Sequence, residues 1–129
     1  MPKQFVVQLT NHPGELARLS ETLADRGVDL RAIGGGGIGE AGHVIMTTAD
    51  DDATRAVLQE GEYTFVEGES ILAEVDDRPG GMAHVSRALA DAGVNVLGHL
   101  FLGRWGDRAT FTFVVDDPER ARPILERKG

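Results

Sequence analysis

Two short bends carry the residues best suited to chemistry. They read Thr10-Asn11-His12-Pro13-Gly14 and Asp76-Asp77-Arg78-Pro79-Gly80-Gly81. Proline fixes φ, and glycine lets the backbone approach another molecule closely. Each bend opens straight into a helical pattern, where free N–H groups and the helix dipole favour a carboxylate. The Asn11 and Asp77 side chains can accept hydrogen bonds from an ammonium group. A zwitterion would satisfy both features. The plainer reading is that Asn or Asp before x-Pro-Gly makes a local turn bond or cap with no ligand at all. Both readings stay open on residues alone.

Other chemistry-bearing residues are weaker. Gly34-Gly35-Gly36-Gly37-Ile38-Gly39 formally satisfies a dinucleotide fingerprint. That fingerprint needs a helix after it, and a strand pattern follows instead. A flexible hairpin link or bulge, able to close over a ligand, is expected there. His12, His43, His84 and His99 form no ligand-spaced pair on one helix, so no metal is expected. Of these, His12 and His99 are the ones worth mutating. Asp50–Asp52 and Asp116–Asp117 read as helix starts. Ser20 and Ser86 have small neighbours, which suggests close helix packing rather than nucleophilic catalysis. Trp105 is expected in a hairpin turn, as a partner contact or folded over its own sheet. No nucleophile–base pair appears, and no cofactor is expected.

The elements that position these bends occur twice. At an offset of 66, residues 11–30 and 77–96 agree at nine of twenty positions, among them Pro13/Pro79, Gly14/Gly80, Leu23/Leu89 and Gly27/Gly93. Asp50-Asp51 falls on Asp116-Asp117 at the same offset. Duplication is the strongest inference. In the first copy, Phe5, Val7 and Leu9 alternate as a strand does. Leu16, Leu19 and Leu23 follow at helical spacing over residues 14–26, and Gly27 stops that helix. Strands are expected at 28–33 and 43–49, a helix from Asp50 to Glu60, and a last strand at 63–67. The second copy predicts a strand at 71–75, a helix at 80–92, strands at 94–102 and 109–115, and a helix at 118–127. Phe111 and Phe113 are expected in its core. The order is that of an α+β, ferredoxin-like βαββαβ sandwich, with domains at 1–69 and 70–129. The second copy has no fourth strand, so its first strand has an open edge. Residues 63–67 are expected to cover that edge as a hairpin, giving one continuous sheet. Pairing with another chain is the rival.

Composition narrows the function. Hydrophobic residues make up 41% and charged residues 26%, a globular balance. The net charge of −8 and the scattered cations argue against nucleic acid and anionic membrane surfaces. The densest cations, Arg120, Arg122, Arg127 and Lys128, are interleaved with Glu119 and Glu126. There is no cysteine, no signal-peptide pattern and no apolar run long enough to span a membrane, which suggests a cytoplasmic protein.

The duplicated pattern, (Asn/Asp)-x-Pro-Gly-x-(Leu/Met)-Ala followed by Leu-Ala-Asp-x-Gly-Val, resembles the ACT domain family. The likeness covers both copies and is closest to stand-alone proteins made of two tandem ACT domains. It implies an amino-acid-binding regulatory protein, not an enzyme, with a ligand where the first turn meets a second strand of a neighbouring domain. Carried over by residue, it implicates Asn11, His12, Pro13, Gly14 and Leu16, and Asp77, Arg78, Pro79, Gly80, Gly81 and Met82. On the facing strands it implicates Ile33, Gly34, Gly98 and His99. Glu15 would repel a carboxylate where Gly81 exposes backbone, so the second turn is favoured for the ligand's carboxylate. A homodimer, an amino acid or similar small ligand, and a metabolic enzyme as partner are expected. The alternative is an interaction subunit without its own ligand. An acylphosphatase-like enzyme lacks its phosphate cradle here, and an RRM-like RNA binder lacks exposed strand aromatics.

Overall fold

The computed structural model describes residues 2–126. The expected helix end at Arg127, and Lys128 with it, lie outside that range. The described chain forms two compact units, one spanning Pro2–Glu67 and one beginning at Gly68.

The first unit holds β1 (Lys3–Thr10), α1 (Glu15–Asp25), β2 (Leu30–Ile38), β3 (Ala41–Thr48), α2 (Asp51–Glu60) and the start of β4 (Phe65–Glu69). Its sheet runs β2-β3-β1-β4, the ferredoxin-like order. Strand alternation fixes the register: Phe5 lies opposite Met46, and Val7 opposite Val44. These four side chains meet Leu19 and Leu23 of α1 and Val57 and Leu58 of α2 in one core. Asp50 caps α2, accepting from the Ala53 N–H at 3.0 Å.

The second unit repeats the plan with β5 (Ile71–Asp76), α3 (Gly81–Asp91), β6 (Val96–Trp105), β7 (Arg108–Val115) and α4 (Pro118–Leu125). Its sheet runs β5-β7-β6. Ile71, Ala73, Leu89, Val94 and Phe113 form its core, with Phe111 half-buried beside them. Asp117 caps α4 with Pro118 at the first helical position, as its sequence predicts. The repeat extends to single hydrogen bonds. Val28 N–H donates to Leu23 and Val94 N–H to Leu89, each at 2.9 Å. Gly27 and Gly93 end their helices at φ 73° and 75°.

Several expectations are corrected. Among the described residues β4 and β5 do not form a hairpin, and they belong to separate sheets. Only Ser70 separates the two strands, too little for a hairpin turn. The chain ahead of β4 instead pairs with β1, where Gln8 N–H donates to Thr64 at 2.9 Å. Among the described residues, β5 therefore pairs only with β7. The glycine run is no loose link. Gly34 to Gly37 lie within β2, paired with Ile45 to Gly42 of β3. Trp105 ends β6 rather than sitting in the turn and is 79% exposed. Ala17, Ala83 and Ser86 are exposed. Ser20 donates to the Leu16 carbonyl at 2.8 Å, so the small residues are not a packing seam inside either unit. No described helix is long and apolar enough to cross a membrane.

Candidate functional site

Each bend is built the same way. His12 N–H donates back to the Thr10 carbonyl, and Arg78 N–H to Asp76, both at 2.9 Å. Gly14 and Gly80 then take φ 91°, a left-handed geometry that starts the helix without a side-chain cap. The bend is also tied to the neighbouring hairpin. Asn11 N–H donates to Glu40 at 2.9 Å, and Asp77 N–H to Asp107 at 2.8 Å.

In the first unit this scaffold borders an open cleft of about 440 Å³. Asn11, His12, Leu16, Ile33 and Gly34 line it, so five of the seven residues expected in this copy come together. Pro13 and Gly14 shape the bend instead. Leu9, Leu16, Ile33 and Val44 give the cleft an apolar wall, and Asn11, His12 and Glu15 its polar groups. Glu15 is also paired with Arg18 at 2.5 Å, which offsets its charge toward a carboxylate. Asn11 Nδ2 donates to the Gly39 carbonyl at 2.9 Å, leaving Oδ1 as an acceptor. A Cβ on Gly37 would lie 2.7 Å from the Asn11 side chain, so that glycine is what lets Asn11 fold down there. Sequence reading missed Val44. Its place in the cleft comes from pairing with Gly35 across the hairpin, which spacing along the chain does not reveal.

The second unit arranges its residues differently. Arg104 Nε donates to Asp77 Oδ2 at 2.9 Å, so this carboxylate is already partnered. Arg78, Gly80 and Gly81 line another depression, of about 430 Å³, between the end of β5, α3 and α4. Arg78, and then Arg108, hold the Asp76 carboxyl below the ordinary carboxylate range. Met82 packs against the second core, and Pro79 stays in the exposed bend. Gly98 is buried on β6, and the His99 ring lies 6.2 Å from that of Phe113. Among the described residues, no three His, Asp or Glu side chains gather as a metal site would need.

Part of the chain is similar to a known family. Residues 70–127 match the ACT domain. No curated protein matches the chain in sequence. Solved structures share its fold. A protein of Bacteroides thetaiotaomicron superposes with TM-score 0.72 at 19% identity, over 96% of this chain and 85% of that one. The regulatory subunit of aspartate kinase from Thermus flavus gives 0.64 at 17%, over 97% and 90%. Its ligand-free counterpart from Thermus thermophilus gives 0.60 at 20%, over 97% and 89%.

Proposed function

We propose that this chain is a tandem ACT protein, a regulatory sensor without catalysis of its own, whose first unit binds an amino acid in the cleft at Asn11. The carrying observation is that cleft. An amide oxygen open to an ammonium group, the His12 imidazole and an apolar wall come together at one space. His12 can donate to a carboxylate while the side chain lies along Leu9, Leu16, Ile33 and Val44. The ACT match of the second unit, and the hydrogen bonds repeated between the copies, support extending the family to both.

Regulation follows by linkage: a ligand that binds one arrangement better shifts the population toward it. We place this in a cytoplasmic homodimer that a metabolic enzyme reads. The fold shared with aspartate kinase regulatory subunits supports that role. A thermal-shift screen of the twenty amino acids tests it. At a hundredfold excess over Kd one site adds about 2.7 kcal/mol of stability, a readily measured rise in Tm. Asn11→Ala should abolish that rise while leaving the unliganded Tm nearly unchanged. A second reading, an interaction subunit with no ligand, draws on exposed Leu72, Leu102 and Trp105. A screen in which no amino acid raises Tm would favour it.

A further inference from the structure

The two copies can be compared position by position through their hairpins. Across β2 and β3, Gly35 faces Val44 and Gly37 faces Gly42. Across β6 and β7, Phe101 faces Phe111 and Arg104 faces Ala109. Gly42 lies opposite Leu9 of β1, and Ala109 opposite Val75 of β5, which anchors the equivalence. Phe101 thus stands where the first unit has Gly35, and Arg104 where it has Gly37. A register shift between Phe101 and Gly103 takes up one extra residue in β6.

Gly35, Gly37 and Val44 line the open cleft of the first unit. At the matching positions of the second, the rings of Phe101 and Phe111 meet edge to face at 5.5 Å. The Arg104 guanidinium lies 4.8 Å above the Phe101 ring and donates to Asp77, the counterpart of Asn11. A cation on the bend's acceptor, next to an aromatic body on the sheet, is an internal arrangement with the chemistry of an aromatic amino acid's ammonium group and side chain.

We infer that the second unit is occupied by its own side chains, Phe101 and Arg104. They display the ligand class of the first: an α-amino acid with a large apolar, Phe-sized side chain, bound once per chain. The ammonium group goes to Asn11 Oδ1, where Arg104 meets Asp77 in the other copy. The side chain goes over Gly35 against Val44, where Phe101 meets Phe111. This rests on the amino-acid reading of the first cleft and adds side-chain size and stoichiometry to it.

Isothermal titration of the full chain with L-phenylalanine, L-leucine and glycine tests the inference. Phenylalanine is expected to bind at one site per chain, about tenfold or more tighter than glycine, because burial of the side chain supplies much of the affinity. Leu16→Trp, at an exposed position on the cleft wall, should abolish that binding with the Tm of the free protein retained. Phe101→Gly combined with Arg104→Ala should raise the stoichiometry to two. Both replaced side chains are substantially exposed, which keeps the cost to folding small. Glycine binding as tightly as phenylalanine would overturn the inference yet leave the amino-acid sensor standing, as would a folded double variant that still takes one ligand. No binding by any amino acid would remove the sensor itself. The comparison of the three ligands on the unaltered chain decides side-chain size even if the double variant does not fold.

Discussion

At the scale of single residues, the bends are held by backbone geometry rather than by side-chain caps. Gly14 has φ 91°, and a Cβ there would meet nothing within 4 Å. The cost of Gly14→Ala is therefore conformational alone. It should destabilise the chain by about 1–2 kcal/mol, the ordinary penalty for an L side chain in left-handed backbone. Urea denaturation would measure it. The sequence made Asn11 and Asp77 equivalent, and their backbone bonds are. Their side chains have parted: one amide lies on a glycine and keeps a free oxygen, while one carboxylate is bound to Arg104. Spacing within the chain could not show this, because the deciding partners come from the far side of each hairpin.

At the scale of elements, ion pairs tie ends together. Arg55 of α2 forks onto Glu67 of β4 at 2.6 and 2.8 Å, which raises the arginine pKa further. Asp76, at the end of β5, is held by Arg78 from the bend and by Arg108 from the start of β7. Its folded pKa lies below its unfolded value of about 3.9. The sign follows: the contribution is present above the unfolded pKa and lost as pH falls through the folded one. Asp76→Asn should therefore flatten the stability–pH profile below about pH 4. Melting curves recorded from pH 5 downward for both chains would check this. The glycine run teaches another lesson at this scale. Glycines weaken a strand, yet His43, Val44 and Ile45 of β3 hold the ladder opposite them.

At the scale of the whole molecule, the two units have separate cores. Leu23 and Leu89 occupy equivalent helical positions, and each is 1% exposed. Leu23→Ala and Leu89→Ala should each cost about 2–5 kcal/mol. The two clusters share no residue, so the losses should add within about 0.5 kcal/mol. A larger coupling in a double-mutant cycle would show that the units report on each other. At matching hairpin positions the first unit has Gly35 and Gly37 and the second has Phe101 and Arg104.

The amino-acid sequence by itself determined the repeat, the helix and strand order, the caps at Asp50 and Asp117, the glycine helix ends and most core positions. Those follow from local periodicity and backbone preference, which act over a few residues. It also gathered five of the residues that line the first cleft. Only the tertiary structure decided that β4 completes the first sheet, that among the described residues β5 pairs only with β7, that the glycines pair in a ladder, and that Val44 lines the cleft. It alone set Phe101 and Arg104 against Phe111 and Asp77. These are choices of partner between segments distant in the chain. They depend on register and on which hydrogen-bonding edge is filled first, and no short-range pattern encodes them.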